Sequence, residues 1–232
     1  MKLSLIIPCY NESANLPLLL ERCGQLAAQP GIEVVLVDNG STDDSPRVLQ
    51  ELLPKYPGCR SVRVEVNQGY GFGILSGLRA AEGEYLGWTH ADMQTDPMDA
   101  LRAMKLLARH GRPAYAKGRR YGRPLADVLF TMGMSAFETI LLGKALWDIN
   151  AQPNIFPRSF FQTWDNPPHD FSLDLYAYFM AKQSGLEVLR FPVRFGERAH
   201  GTSHWNVNWA AKRKFIRRTI DFSLQLKKSL KS

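Results

Sequence analysis

Short apolar runs alternate with segments of helical spacing through the first 90 residues of the chain. Most of the runs are rich in Val, Ile or Leu and end at turn-forming residues, which predicts buried strands. The predicted strands are residues 3–8, 33–38, 61–66 and 84–89, and the predicted helices are residues 15–28, 43–53 and 69–81. Strands that alternate with helices in this way form a parallel sheet covered by helices.

The second half of the chain continues this alternation with longer helices. The predicted elements are a helix at 98–109, a strand at 115–117, a basic loop at 118–124, an apolar helix at 125–146, a helix from 170 to 184 and a strand at 187–193. The expected fold class is α/β, a Rossmann-like and mostly parallel sheet with flanking helices, in one domain of residues 1–204. Basic and apolar residues mixed at helical spacing predict an amphipathic C-terminal helix at 205–232.

Polar residues directly follow three of the predicted strands. These stretches are Pro8-Cys9-Tyr10-Asn11-Glu12, Asp38-Asn39-Gly40 and His90-Ala91-Asp92. In an open parallel sheet ligands bind beyond the carboxyl ends of the strands, because those ends lie along one edge. The sequence therefore predicts a single site to which three strand ends contribute.

Positive charge is the main feature of the composition. The 232 residues carry a formal net charge of +7 and a sequence pI near 9.4. This balance favours an anionic partner, which would be nucleic acid, a phosphorylated substrate or an anionic membrane surface. The sequence contains no recognised nucleic-acid-binding motif, so nucleic acid is not expected as the partner.

Several features predict a cytoplasmic protein. The N-terminus lacks the layout of a signal peptide, and three cysteines are an odd count without metal-ligand spacing. Asp127, Glu138 and Lys144 interrupt the longest apolar segment, so no membrane-spanning segment is expected. A basic amphipathic C-terminal helix would lie on the inner face of the cytoplasmic membrane; the alternative is that it packs on the domain.

Asp92 and Gln94 lie just past a predicted strand and are candidate metal ligands. A divalent cation that holds a diphosphate, such as Mg²⁺ or Mn²⁺, needs oxygen ligands on a stiff scaffold. A polar loop that caps the next helix explains Asp92 about equally well. For Asp96, which precedes Pro97, the helix cap is the better interpretation.

Asp38 ends a buried strand, where a carboxylate is costly unless it is paired or accepts hydrogen bonds. Such a carboxylate would accept hydrogen bonds from the base or the ribose of a nucleotide. The alternative is a turn and helix cap formed with Ser41 and Asp43.

Two basic stretches are suited to bind phosphate. Lys117-Gly-Arg-Arg-Tyr-Gly-Arg123 places four cations around two glycines, and Arg198-Ala-His-Gly-Thr-Ser-His204 combines Arg, His and hydroxyl groups. Solvated basic loops are the alternative. A metal site at His200 and His204 would lack a third nearby ligand.

In combination, these motifs resemble the family 2 glycosyltransferases of the GT-A fold, and among them the polyprenyl-phosphate sugar transferases of the dolichyl-phosphate mannose synthase type. The likeness covers nearly the whole chain. Its carriers are Ile6-Ile-Pro-Cys-Tyr-Asn-Glu12, Val37-Asp-Asn-Gly-Ser-Thr-Asp43, Asn67-Gln-Gly-Tyr-Gly71, Ala91-Asp-Met-Gln94, Lys117-Gly-Arg-Arg-Tyr121, Asp148 and Arg198-Ala-His-Gly-Thr-Ser203. Several ordered motifs are a more specific signal than any one of them.

The resemblance implies a metal-dependent, inverting transfer of a sugar from a UDP- or GDP-linked donor to a polyprenyl phosphate. It implies that the donor is bound by Pro8, Tyr10, Glu12, Asp38, Asn39 and Asp92. It implies Asp92 and Gln94 as metal ligands. The residues that would bind the acceptor or its phosphate are Arg120, Arg198, Ser203 and His204, with Asp92, Arg120 and Arg198 as the catalytic set.

The sequence departs from the family pattern at several positions. His90 replaces the first acid of the metal motif, Asn39 replaces the second acid after strand two, and His204 replaces a lysine. An arginine that often opens the long apolar helix is missing around residues 125–128, which bears on the acceptor.

Two alternative functions remain open from the sequence. Transfer to a sugar hydroxyl of a glycan or glycolipid would need a carboxylate base, for which Asp170 and Asp174 are candidates. The other alternative is a non-catalytic nucleotide-binding module, against which the retained Asp92 and Gln94 argue.

Overall fold

The structure is a computed structural model that describes residues 2–200 and 209–229. Seven strands form one sheet. They are β1 (Leu3–Cys9), β2 (Ile32–Asn39), β3 (Cys59–Val64), β4 (Tyr85–Trp88), β5 (Ala114–Tyr121), β6 (Asn154–Pro157) and β7 (Glu187–Arg194). Their order across the sheet is β3-β2-β1-β4-β6-β5-β7.

Helices cover both faces of this sheet. They are α1 (Leu16–Ala27), α2 (Ser45–Leu52), α3 (Tyr70–Ala80), α4 (Asp99–His110), α5 (Leu125–Leu142), α6 (Arg158–Phe161), α7 (Leu173–Gln183) and α8 (Trp209–Ser229). Alternate residues of β1 face opposite sides, so Leu5 and Ile7 pack with α1 and α4, whereas Ile6 packs with α3 and α7. The predicted α/β fold with a mostly parallel sheet is confirmed.

Strands β1 to β4 are parallel, as the alternation of elements predicts. The chain reverses at β6, which runs antiparallel to both β4 and β5. This strand was not predicted, because it has four residues and follows Pro153. β6 joins the four parallel strands to the β5 and β7 pair.

The basic stretch after residue 117 is mostly strand and not the loop that the sequence predicted. β5 continues to Tyr121, because it pairs with β7 along its whole length, from Ala114 with Glu187 to Tyr121 with Arg194. The apolar helix α5 is shorter than predicted. It ends at Leu142, where Gly143 adopts a left-handed conformation with φ of 69° that favours glycine.

The C-terminal helix α8 packs against α5 in the part of the chain that the structure describes. Ser223 Oγ on α8 donates a hydrogen bond of 2.8 Å to Glu138 Oε1 on α5. Both side chains are fully buried, and Leu226 is buried nearby. Glu138 Oε2 has no hydrogen-bond partner within residues 2–200 and 209–229, so the contact places an incompletely bonded carboxyl group between two helices.

We expect this carboxyl group to make stability depend on pH. Burial raises the pKa of Glu138 to about 7, above its ordinary value of 4.5, although the Ser223 hydrogen bond acts in the opposite direction. Between pH 4.5 and about 7 the folded chain then binds more protons than the unfolded chain. Glu138 therefore lowers the free energy of unfolding as the pH rises through this range. This decrease in the free energy of unfolding should be on the order of 2 kcal/mol, and it should be absent in Glu138→Gln, which has no proton to lose.

The measurement is the melting temperature at pH 5 and pH 8 for the wild type and the variant. The decrease between these pH values should be smaller by several degrees in Glu138→Gln. Glu51→Gln, at an exposed position of α2, is the matched control and should behave as the wild type does. Equal decreases in all three proteins would contradict the assignment.

Candidate active site

The loops after β1 and β2 are joined by hydrogen bonds, which brings two of the predicted strand ends together. Asn11, with φ of 55°, accepts bonds from the backbone N–H groups of Thr42 at 2.8 Å and Asp43 at 3.3 Å. The backbone N–H of Glu12 donates to Ser45 Oγ at 2.9 Å. These loop-to-loop hydrogen bonds were not predicted from the sequence. The one local signal was an asparagine at the end of a strand, because asparagine tolerates positive φ.

Three of the predicted donor-binding residues line this corner of the sheet. Tyr10 is exposed at the end of β1, whereas Asp38 at the end of β2 is buried. Asp38 accepts bonds from the backbone N–H of Ser41 at 3.0 Å and from Arg63 Nη1 at 2.9 Å. The turn that the sequence offered as an alternative is therefore present, and Arg63 of β3 is an additional partner. Pro8 lies within β1, half-buried.

Asn39 is buried behind the strand end. Its Nδ2 donates to the carbonyl of Gly69 at 3.0 Å, and its Oδ1 has no hydrogen-bond partner in the described part of the chain. The side chain thus ties β2 to the start of α3. Donor binding by Asn39 stays a prediction.

Asp92 and Gln94 lie in a tight turn after β4. Asp92 is buried, and its Oδ1 accepts a bond of 3.1 Å from the backbone N–H of Gln94. Gln94 Nε2 donates to the carbonyl of Gly196 at 3.2 Å, and the backbone N–H of Gly196 donates to the carbonyl of Gln94 at 2.8 Å. The segment that follows β7 therefore holds this turn.

Arg198 forms an ion pair with Asp92, with 3.0 Å between Nη2 and Oδ2. Arg198 Nε is buried and has no hydrogen-bond partner among the described residues. Glu12 lies in the same cluster. Burial and the neighbouring Asp92 raise the pKa of Glu12, whereas the bond from Asn15 and the charge of Arg198 lower it, with a net upward shift. Glu12 and Asp92, which were predicted to bind the nucleotide-sugar donor, therefore lie together with Arg198, which was predicted to bind phosphate.

Asp92 is the only carboxylate of the predicted metal pair, and both of its oxygens are engaged in this structure, Oδ1 by the backbone N–H of Gln94 and Oδ2 by Arg198. Among residues 2–200 and 209–229 no group of three or more His, Cys, Asp or Glu side chains is placed to bind a metal. Mg²⁺ is often bound through one or two carboxylates together with substrate phosphates and water. Asp92 supplies one such carboxylate, and His90, two residues earlier, supplies no second one.

A second charged cluster surrounds Asp148. Arg120 donates to this carboxylate from its backbone N–H at 2.9 Å and from Nε at 2.8 Å, and its Nη2 lies 2.5 Å from Oδ1. Arg123 and Arg190 lie 3.5 Å and 3.9 Å from it. Burial favours neutral Asp148, but the Arg120 guanidinium outweighs burial and holds the pKa of Asp148 below its ordinary range. Three guanidinium groups therefore share one carboxylate.

A small cavity opens beside Arg120. It has a volume of about 40 Å³ and lies between α5, α7 and α8. Polar lining comes from Arg120, Ser135, Asn150 and Ser172, and apolar lining includes Phe130 and Phe171. A cavity of this volume holds only a few water-sized groups, and its wall combines one cation, hydroxyl groups and aromatic rings.

Lys117 and Asp174 are fixed in the interior. Lys117 is fully buried and donates to the carbonyl of Ala151 and to Asn154 Oδ1, each at 2.8 Å. Burial lowers the pKa of Lys117 to about 7. The expectation that Lys117 belongs to an open phosphate loop is therefore wrong.

Asp174 is also wrong as a candidate base for an acceptor hydroxyl. Its Oδ1 accepts bonds from Trp88 Nε1 at 3.2 Å, Gln152 Nε2 at 2.7 Å and Asn154 Nδ2 at 3.1 Å. The carboxylate is buried and engaged by these donors. The other candidate, Asp170, accepts a bond from the backbone N–H of Ser172 at 2.9 Å and lies 3.4 Å from Arg218 Nε.

The remaining predicted site residues are Ser203 and His204. Both lie outside the residues that the structure describes. Asp96 does not cap α4 as predicted: its Oδ1 accepts a bond of 2.9 Å from the backbone N–H of Met98, the residue before α4, so it closes the turn that leads into the helix.

The chain is similar in sequence to bacterial sugar transferases. The undecaprenyl-phosphate 4-deoxy-4-formamido-L-arabinose transferase of Sodalis glossinidius is 28% identical over 216 residues, which are 89% of this chain and 63% of that protein. The transferase of the same name from Serratia proteamaculans is 38% identical over 111 residues, covering 45% of this chain and 33% of that protein. The chain thus spans less than two thirds of the length of these relatives.

Solved structures share the fold at low sequence identity. Glucosyl-3-phosphoglycerate synthase from Mycobacterium tuberculosis, crystallised with Mn²⁺, UDP and glucosyl-3-phosphoglycerate, has a TM-score of 0.75 and 18% identity, covering 97% of this chain and 79% of that one. This likeness confirms the predicted GT-A architecture. The family described as Glycosyl transferase family 2 matches residues 4–166, more than half of the chain. The protein therefore belongs to glycosyl transferase family 2.

Proposed function

We propose that this chain transfers a sugar from a nucleotide diphosphate donor to a polyprenyl phosphate, with inversion at the anomeric carbon. The observation that carries the proposal is the pair of charged clusters at one edge of the sheet, Asp92 with Arg198 and Asp148 with its three arginines. The names of the Sodalis and Serratia relatives support undecaprenyl phosphate as the acceptor class.

The first cluster is the donor end of the site. Tyr10, Glu12 and Asp38 would contact the base and ribose, and Arg198 would interact with the diphosphate. A divalent cation bound at Asp92, with Gln94 as the second proposed ligand, would supply charge neutralisation for the departing nucleotide diphosphate. The Mn²⁺ and UDP that were crystallised with the mycobacterial synthase support a divalent metal and favour UDP over GDP.

The second cluster is the acceptor end. Three guanidinium groups around Asp148 leave an excess of positive charge next to the cavity, which favours an anionic acceptor. A phosphate oxygen is already ionised at neutral pH and can attack without a general base. The new bond forms between that oxygen and the anomeric carbon as the bond from carbon to the donor diphosphate breaks. The engagement of Asp174 removes one of the two candidate bases that a sugar hydroxyl would need, and the other, Asp170, lies 3.4 Å from Arg218 Nε.

We also propose that α5 lies on an anionic membrane, so that the lipid reaches the cavity. α5 is long and apolar enough to cross a membrane by length and composition, and 17% of it is buried. Its exposed side chains include Leu125, Leu129, Met132, Phe137 and Ile140. The opposite side carries buried Ser135 and Glu138, which lie against the rest of the protein. A helix held along one side in this way would lie in the interface.

The ends of α5 and the neighbouring helix support this orientation. Tyr121 and Trp147 are exposed just before and just after α5, and such aromatic residues favour the boundary between lipid and water. α8 adds exposed Arg213, which would attract anionic headgroups, whereas Arg217 and Arg218 are also exposed but lie 3.8 Å from Asp221 and 3.4 Å from Asp170. A protein peripheral to the inner face of the cytoplasmic membrane is consistent with this arrangement.

Asp92→Asn should lower the transfer rate on the order of 10²- to 10³-fold, as the loss of one preorganised electrostatic contact does in other enzymes. It should also abolish the Mn²⁺-dependent increase in melting temperature with UDP or GDP. Asp96→Asn, in the same turn, is the matched control and should keep both properties. Full activity in Asp92→Asn would refute the metal assignment.

Arg120→Gln should raise the KM for undecaprenyl phosphate at least tenfold, because a charged hydrogen bond contributes about 1.5–3 kcal/mol. Donor binding should stay within twofold of the wild type. Arg119→Gln, at the exposed adjacent position of β5, should leave both constants unchanged. An increase in the KM for the donor alone would assign Arg120 to the donor end of the site and contradict its proposed role at the acceptor end.

Ile140→Glu and Leu129→Glu should reduce flotation of the protein with phosphatidylglycerol vesicles several-fold, because each places a charge in the apolar surface. Leu18→Glu, at an exposed position of α1, is the control. Undiminished flotation of the α5 variants would exclude this surface as the contact. Loss of a dimer on gel filtration instead would assign it to a second copy of the chain.

A further inference from the structure

Three aromatic rings form a row between the two charged clusters. His90 lies two residues before Asp92, Tyr70 begins α3, and Phe171 lies just before α7. The ring centroids of His90 and Tyr70 are 5.9 Å apart. Those of Tyr70 and Phe171 are 4.6 Å apart, with their planes 12° from parallel. Phe171 also lines the cavity that contains Arg120, so the row connects the proposed donor and acceptor ends.

The backbone fixes the position of this aromatic row. A Cβ on Gly71 would lie 2.6 Å from the carbonyl oxygen of Pro168 and 2.7 Å from that of Asp170, so only glycine allows this approach. The backbone N–H of Phe72 donates to the carbonyl of His169 at 2.9 Å. The start of α3 is therefore in direct contact with the loop that carries Phe171.

Polar contacts hold the middle ring from its edge. Gln152 Nε2 donates to the hydroxyl of Tyr70 at 3.3 Å and to Asp174 Oδ1 at 2.7 Å. Tyr70 is thus attached to the buried hydrogen-bond network and supports Phe171 through the stack. Phe171 is 43% exposed and lines the cavity that contains Arg120.

In the proposed reaction the sugar moves from the donor diphosphate to the acceptor phosphate, so it must lie between the two ends of the site. One face of a pyranose ring presents C–H groups, and its hydroxyls point outward. Small-molecule sites commonly combine an aromatic surface for an apolar face with a few polar groups that set orientation. The row offers the aromatic surface, and the imidazole of His90 and the amide of Asn150, which lines the cavity, offer polar groups near its two ends.

We propose that Phe171, supported by Tyr70, is the surface on which the transferred sugar ring stacks, and that it helps to determine which sugar is accepted. This inference rests on the proposed function, because it requires a nucleotide-sugar donor bound at Asp92. The ligand class is a pyranose with an apolar face, attached to a nucleoside diphosphate.

The experiment compares the binding of a nucleotide with that of its sugar derivative. Isothermal titration with Mn²⁺ would measure UDP against UDP-glucose and GDP against GDP-mannose, for the wild type and Phe171→Leu. The variant should bind the sugar nucleotide about two- to twelvefold more weakly, the range that an aromatic contact of about 0.5–1.5 kcal/mol gives. Its affinity for the nucleotide alone should stay within twofold.

Two further variants test the specificity of the effect. Phe171→Tyr keeps the aromatic surface and should bind the sugar nucleotide as tightly as the wild type does. Phe137→Leu makes the same change on the outer side of α5 and should leave both nucleotide affinities unchanged, because the titration contains no membrane. In the wild type, saturation transfer to the sugar ring protons should be strong, and it should weaken in Phe171→Leu.

Each other outcome has a distinct meaning. Equal weakening of nucleotide and sugar nucleotide would overturn the inference, because Phe171 would then support the nucleotide site. No change in either affinity, with a higher KM for undecaprenyl phosphate, would overturn it in favour of a contact with the acceptor. Absence of nucleotide binding in the wild type would defeat the proposed function, and the sugar surface with it.

Discussion

The buried carboxylate of Asp174 holds together the two parts of the sheet on which the site depends. Its three donors come from β4, from β6 and from the loop that precedes β6. β6 has four residues and pairs with β5 through two of them, so the strand ladder at this point is short. A carboxylate in the interior is costly unless its hydrogen bonds are made. Any shift of β4 against β6 would break those bonds, and the network therefore fixes the distance between the two charged clusters.

The parallel half of the sheet could be predicted from the sequence because its signals are local. β1, β2 and β4 are apolar runs followed by polar residues, and the geometry of parallel strands brings their ends together. β6 could not be predicted, because four residues after a proline give no periodicity. The extent of β5 was also hidden, since it depends on pairing with β7, some seventy residues further along the chain.

The site could be predicted as a set of residue types but not as a set of partners. The motifs named Asp92, Arg198 and Arg120, yet they gave no sign that Arg198 would pair with Asp92 or that Arg123 and Arg190 would join Arg120 at Asp148. Lys117 was predicted in a phosphate-binding stretch and Asp174 as a candidate base, but both side chains are buried, whereas charged residues are mostly exposed. Their burial follows from donors and acceptors on β4, β6 and the intervening loop, which no local pattern reports.

The inverted polarity of α5 has a consequence for evolution and for handling the protein. In most helices of soluble proteins a mutation to a polar residue is tolerated on the outside and harmful on the inside. In α5 the buried side already contains Ser135 and Glu138, whereas Leu125 and Ile140 face outward. Under the proposed membrane contact, selection would preserve apolar side chains at these exposed positions, although they add little to the folded core. A detergent or lipid additive would then improve the solubility of the purified domain, while leaving its thermal unfolding almost unchanged.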